Sequence, residues 1–201
     1  MSRFKSSFVE DDCYVLHSIP WKETSSIIKI FSRNHGCISI VAKGAKRPYS
    51  QLRPVLLSFQ HLLLAWKNNT SNIKTLVRAD LGEIFLLPGD SLMSAWYMNE
   101  LILYSLASED SHPSLFDEYS NSLKYLCNKS NYKASILRRF EWFLLKEIGY
   151  GIDKSEPDFN NQGLEPVLRL DLRRRMETML GGKELLTKKI LFNLHYSTTS
   201  N

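Results

Sequence analysis

Four cations open the question of what this chain does: in "VAKGAKRPYSQLRP" Lys43, Lys46, Arg47 and Arg53 fall within eleven residues with no acid between them. Side chains of that type and spacing neutralise phosphates, and when aromatic rings stand among them the rings stack on bases, which together hold single-stranded nucleic acid. Rings are present: Trp21 beside Lys22, Phe31 beside Lys29, and Tyr49 beside Arg47. Lys29 and Arg33 extend the cationic set. The competing reading is structural, since charged runs are ordinarily a solvated surface and rings can cap a barrel core.

Bond-making chemistry has weaker candidates. Cys13 and His17 share a face of one predicted strand, but four residues at about 3.3 Å each hold them roughly 13 Å apart, too far for a nucleophile and its base. His35 and Cys37 could touch a metal, yet a site needs three or four ligands and no cluster supplies the others. The cysteines are Cys13, Cys37 and Cys127, an odd and scattered set with no CxxC pair, so reduced thiols are expected rather than a disulfide framework or a zinc knuckle. Phosphate-loop, dinucleotide, nucleophile-elbow and HExxH signatures are all missing from the sequence. Binding without catalysis and without a cofactor is the expectation.

The elements that must position the cations follow from periodicity. In "SSIIKIFS" Ile28 and Ile30 oppose Ile27, Lys29 and Phe31, and in "CISIVAK" Ile38, Ile40 and Ala42 oppose Cys37, Ser39, Val41 and Lys43; alternation of period two predicts strands. Adding "CYVLHSI", "VLLSFQHLLLAW" and "IKTLVRADLGEI" gives five strands between residues 13 and 84, with turns at Pro20, "RNHG", "KGAKRP" and "KNNTSN". Five short strands in that length fit a small closed barrel. The period then changes. "SLMSAWYMNELILYSLA" is apolar nearly all round with Asp90 as N-cap, predicting a buried helix. "PSLFDEYSNSLKYLC" and "ASILRRFEWFLLKEIGYG" follow, the latter with a stripe of Ile136, Leu137, Phe140, Leu144 and Ile148 and a C-cap at Gly149 or Gly151. A polar stretch, "DKSEPDFNNQGLEP", precedes a last helical pair around "LRRRMETML" and "KELLTKKILFNLHY". The chain reads as α+β, with a barrel over 1–84 and a helical domain over 85–201.

Bulk properties agree with a folded binder. The chain has 201 residues, 43% apolar, and a net charge of +5. Residues 1–80 carry twelve Lys/Arg against five Asp/Glu, residues 81–130 carry two against seven, and the remainder twelve against nine. A basic first part beside an acidic segment suggests two units with different partners. Neither a membrane helix nor a signal-peptide apolar region is legible, so a cytoplasmic protein is expected.

At this point the residues resemble a known family. "YVLHSIPWKETSSIIKIFSRNHGCISIVAKGAKRPYSQLRPVLLSFQHLLLAW", then "YMNELILYSL", "HPSLFDEY", "LRRFEWFLLKEIGYG" and "LGGKELLTKKIL", are similar to the bacterial recombination-mediator family RecO along almost the whole chain. The resemblance implies a five-stranded oligonucleotide-binding (OB) barrel followed by an α-helical domain, and DNA repair by recombination. It further implies binding of single- and double-stranded DNA, annealing of complementary strands, contact with the tail of single-stranded DNA-binding protein, and partnership with RecR in loading RecA, in the cytoplasm and on the nucleoid. Many members carry four zinc-binding cysteines after the glycine-tyrosine-glycine region; this sequence has none there, so a metal-free protein is expected. The stretch after residue 150 is short, ending in "HYSTTSN", which puts in doubt contacts that longer members make from that end.

The resulting assignment places DNA phosphates on Lys43, Lys46, Arg47 and Arg53 with Lys29 and Arg33 as outer members, and bases on Phe31 and Tyr49. Arg173, Arg174, Arg175, Lys188 and Lys189 are the candidates for an extended track or for the acidic tail of the single-strand binder, against the plain alternative of a solvated helix face, and Arg138 and Arg139 divide between that acidic-tail site and helix-surface salt bridges. An RNA-binding barrel is the rival, since composition allows it equally and only use of the 2′-hydroxyl separates the two.

Overall fold

The computed structural model describes residues 8–128, 133–150 and 155–190. Five strands come first: β1 (Phe8–Trp21), β2 (Ser25–Ser32), β3 (Gly36–Ala42), β4 (His61–Lys67) and β5 (Ile73–Leu81). They close into a barrel in the order β1-β2-β3-β5-β4, with β3 and β5 parallel and every other pair antiparallel. Closure is made by β3 and β5, which pair over Ser39–Val41 and Ile73–Thr75 and so leave little open sheet edge among the described residues. The alternation predicted from sequence fills the interior: Cys13, Val15, Ile28, Ile30, Ile38, Ile40, Leu62, Leu64 and Trp66 form one buried cluster. Each such aliphatic contributes about 1.5–3 kcal/mol relative to leaving it in water.

Three expectations need correction here. The register of β1 against β2 shifts between Val15 and His17, leaving Leu16 as an extra residue. That bulge inverts the alternation, so Cys13 points into the core while His17 is exposed; the two do not share a face. Secondly, "VLLSFQ" is not strand. The amide of Leu56 bonds the Leu52 carbonyl at 2.9 Å and that of Leu57 bonds Val55 at 2.8 Å, and only His61–Lys67 joins the sheet. Thirdly, Asp90 lies in the first turn of its helix rather than before it.

Contacts divide the chain into two units: up to Phe85 together with Leu106–Phe116, and Leu86–Ser105 with the chain from Asp117 onward. The returning segment 106–116 covers the outside of the barrel. Tyr14 and Phe31 face away from the interior yet are wholly buried, because Phe116 packs 5.2 Å from one ring and 5.4 Å from the other, with Phe85 6.3 Å from Tyr14. At the β2–β3 turn the same segment approaches backbone to backbone. The Glu109 amide bonds the Cys37 carbonyl at 3.0 Å, and Gly36, at φ +67°, leaves no room for a Cβ, which would sit 1.9 Å from the Asp110 carbonyl oxygen.

Asp11 on β1 ties down that turn. Its buried carboxylate accepts from the Ser32 hydroxyl, from the Asn34 backbone and side-chain amides at 2.7 Å each, and lies 3.3 Å from His35 Nδ1. Burial alone would push this carboxyl up, but the bonds from Ser32, Asn34 and His35 outweigh it and hold Asp11 below the usual range.

The second unit is built on α1 (Gly89–Ser105), α2 (Pro113–Cys127, whose first residues belong to the barrel unit), α3 (Lys133–Glu147) and α4 (Glu165–Leu180). On α3 the predicted stripe is present with Ile136, Phe140 and Leu144 buried. Gly149, at φ +77°, ends the helix as its left-handed cap, letting the Tyr150 amide reach the Leu145 carbonyl at 2.8 Å. The alternative cap Gly151 lies outside the described residues. So do the tail "HYSTTSN" and the part of the predicted closing helix after residue 190; residues 186–190 are helical. No helix among the described residues is long and apolar enough to cross a membrane.

Candidate nucleic-acid interface

The connection from β3 to β4 caps one end of the barrel. Gly44, at φ +72°, turns the chain as it leaves β3. Successive turns follow at three-residue steps, with the amides of Arg47, Ser50 and Arg53 bonding the carbonyls of Gly44, Arg47 and Ser50 at 3.1, 3.1 and 3.3 Å. Ala45 is buried and Leu52, Val55 and Leu56 are half-buried, while Lys43, Lys46, Arg47 and Arg53 are exposed. Apolar and cationic residues alternate along this loop so that one set plugs the barrel and the other faces water. The loop also ties to the β1–β2 hairpin: the Lys46 amide bonds the Thr24 carbonyl at 2.9 Å, and Lys46 Nζ approaches the Lys22 carbonyl at 3.5 Å.

None of these four cations has an ion-pair partner among the described residues. On β5 the pattern is opposite, as Lys74 pairs with Glu109 at 2.9 Å and Arg78 with Glu10 and Asp80. Charges left unpaired by the protein keep their full attraction for an incoming polyanion. Beside them stand two rings the fold leaves in water, Tyr49 at 96% exposure and Trp21 at 46%.

Other members of the predicted set are dispersed. Lys29 is exposed at the middle of β2, across from His17 and Ser39. Arg33 is half-buried beyond the far end of that strand, about 25 Å along it from the hairpin at about 3.3 Å per residue, with its carbonyl accepting from Ser111. Phe31 is a correction. At 0% exposure beneath Phe116 it stacks on no base and belongs to the packing of the barrel wall.

Sequence reasoning missed a groove where the loop meets the barrel mouth. It encloses about 280 Å³ and is lined by Ser18, Ser26, Ile28, Lys46, Leu52 and Arg53 among others. The bulge at Leu16 turns Ser18 toward this groove, so the signal was readable only once the bulge was known.

In the helical unit most of the predicted cations hold carboxylates of their own. Arg138 Nη2 lies 2.8 Å from Glu141 Oε1, both side chains being largely buried, and the Tyr97 hydroxyl donates to the same oxygen at 2.7 Å. Burial pushes the Glu141 carboxyl above its ordinary range despite Arg138 and Tyr97. Arg139 bridges Glu118 at 3.0 Å and Glu156 at 3.2 Å, and lies over the Phe143 ring. Arg173 pairs with Glu177 and Arg175 with Asp171, each at 3.0 Å one turn apart. Arg174, Lys188 and Lys189 are exposed. A second cavity of about 500 Å³, floored by Met93, Leu137 and Met176, has Arg169, Arg173 and Lys188 at its rim.

Comparison with known proteins adds sequence kinship to this geometry. The family described as recombination protein O, N terminal, matches residues 6–85, and that described as recombination protein O, C terminal, matches residues 89–156. A DNA repair protein RecO of Aromatoleum aromaticum is 45% identical over 164 residues, covering 81% of this chain and 67% of that protein. Proteins of the same name from Azoarcus sp. and Polynucleobacter asymbioticus are 42% and 46% identical over 150 and 145 residues, covering 74% and 70% of this chain. The matches span 61% and 59% of the length of those two relatives.

Proposed function

The chain belongs to the RecO family of DNA repair proteins, and from that premise we propose that it is a non-enzymatic recombination mediator that grips DNA at the capped mouth of its barrel. The observation that carries the proposal is the set Lys43, Lys46, Arg47 and Arg53, without ion-pair partners among the described residues and gathered on one loop beside the exposed rings of Tyr49 and Trp21. In this reading residues 1–84 bind single- and double-stranded DNA and residues 85–201 meet protein partners, in the cytoplasm and on the nucleoid. Annealing requires no bond chemistry, only screening of two repelling backbones so that bases can find each other. RecR and single-stranded DNA-binding protein act with it to load RecA.

The test is a salt titration. Each neutralised phosphate on a single strand contributes roughly 0.7 to the slope of log affinity against log salt. Replacing Lys43, Lys46 and Arg47 together by Ala is expected to lower that slope by about two units, weaken binding alike for all sequences, and slow annealing. Melting temperature should hardly move, because exposed changes are worth under about 0.5 kcal/mol each. An unaltered slope in a folded triple variant would remove this loop from the DNA site.

The acidic tail of the single-strand binder is assigned to the helical unit, at the cavity rimmed by Arg169, Arg173 and Lys188. An apolar floor anchors a hydrophobic residue there while rim cations speed the arrival of its acids. Titration with a short peptide ending in acids and an aromatic should show binding at low salt that weakens as salt rises, and Arg173→Ala with Lys188→Ala should reduce it. Absence of binding at low salt would reject the assignment.

A further inference from the structure

We infer that the groove at the barrel mouth takes one unstacked nucleobase of a bound single strand, a role distinct from the phosphate contacts made by the loop above it. The inference rests on the DNA-binding reading of that loop. Three features of the groove define its occupant. Its volume, about 280 Å³, lies just below the roughly 300–1,000 Å³ of pockets for whole small molecules, so it admits one flat ring system and not a run of polymer. Its floor is apolar at Ile28 and Leu52, suited to a ring face, and its wall carries two hydroxyls, Ser18 and Ser26. Its entrance holds Lys46 and Arg53, both exposed and both without a carboxylate partner among the described residues.

Strand register explains why these features coincide. Ser18 pairs with Ile28 and Pro20 with Ser26 across β1 and β2, while Ser26 pairs with Ala42 and Ile28 with Ile40 across β2 and β3. The groove residues therefore continue the inward-facing rows of the barrel. Where Cys13 and Val15 fill the interior deeper down, the chain places the small polar Ser18 and Ser26 at the mouth and leaves the space open. A base entering there exchanges its stacking partners for the aliphatic floor, and its phosphates on either side lie within the reach of Lys46 and Arg53. Because a hydroxyl both donates and accepts, any of the four bases can bond at the wall, so the groove holds a base without reading it.

The experiment compares a thymidine oligonucleotide with a strand of equal length made of abasic sites, which keeps every phosphate and removes every base. Full-length protein is expected to bind the intact strand more tightly by roughly tenfold. Ser18→Leu, which fills the groove from its exposed side, should lower intact-strand affinity toward the abasic value and leave the salt slope unaltered. Leu52→Phe fills the groove from the loop side and is the second arm if the first variant fails to melt cooperatively. Equal affinity of the wild-type protein for both strands, with a steep salt slope, overturns the base site while leaving the phosphate loop intact. A preference for intact strand that survives in folded groove-filled variants overturns it as well. A flat salt slope on both strands would instead remove the underlying DNA-binding reading, and this inference with it.

Discussion

Gly36→Ala should be among the most damaging single changes in the barrel, costing about 3 kcal/mol or more and lowering its melting temperature by roughly 12–24 °C. Two independent penalties add. Backbone at φ +67° is left-handed, which costs an L-residue about 1–2 kcal/mol. The new methyl would then stand 1.9 Å from the Asp110 carbonyl oxygen and 2.5 Å from its carbon. Backbone on both sides must move, and overpacking of this kind adds about 1–3 kcal/mol. Gly149→Ala is the matched control: its φ is +77°, but nothing lies within 4 Å of the added carbon. Thermal melts of the two variants separate strain from clash. Should Gly36→Ala cost no more than Gly149→Ala, the close approach of segment 106–116 to the turn is wrong.

A comparable loss is expected from Arg138→Met, for electrostatic reasons. Glu141 has a side-chain exposure of 2%, and its charge is matched by Arg138 at 2.8 Å and by the Tyr97 hydroxyl at 2.7 Å. Removing one partner of a buried pair costs about 3–5 kcal/mol, since the other charge is left without compensation. The loss depends on pH with a definite sign. Glu141 is already raised by burial, and without Arg138 it rises further. An acid raised in the folded state favours folding most at pH below its unfolded value, near 4.3, and that contribution fades as pH climbs through the folded value. Urea melts of the variant should therefore show stability falling from pH 5 to pH 8 more steeply than in the wild type. Adding Glu141→Leu should recover most of the loss and flatten the profile. A cost under about 1 kcal/mol, independent of pH, would mean that Glu141 is solvated. The result also bears on recognition: Arg138 serves the helix core, so its replacement should unfold the unit before it weakens a peptide.

What could be read from residues alone divides along a physical line. Ile28, Ile30, Ile38 and Ile40 announced their strands because a half-buried sheet imposes a period of two on its own sequence. Helix α3 announced its core stripe in the same way, through Ile136, Phe140 and Leu144. Phe31 obeyed the same alternation and was assigned outward, which is correct, yet outward did not mean exposed. The cover over it comes from Phe116, eighty-five positions later, and local periodicity carries no information at that range. Ser18 and His17 were obscured by one extra residue at Leu16, since a bulge inverts every later face of a strand without changing its composition. Likewise "VLLSFQ" is apolar because Val55 and Leu56 pack against the barrel core from the cap, and burial demands the same residues whether backbone bonds run across a sheet or within a turn. The loop cations were legible by position but not by partnership. That no carboxylate among the described residues pairs with Lys46 or Arg53 is a property of the folded surface.

The return of segment 106–116 to the barrel has a consequence for synthesis. Ribosomes extend a chain at about 5–20 residues per second, so the last strand of the barrel emerges seconds before the residues that cover Tyr14 and Phe31. During that interval the five strands can pair, but two large rings on their outer surface remain wet, and the turn at Gly36 lacks the backbone that will pack against it. A nascent chain stalled once Leu81 has cleared the exit tunnel should accordingly be sensitive to protease and to chaperone capture, and one stalled far enough on for Phe116 to clear it should be protected. Maturation of the barrel is thus timed by a phenylalanine encoded thirty-five codons beyond its final strand.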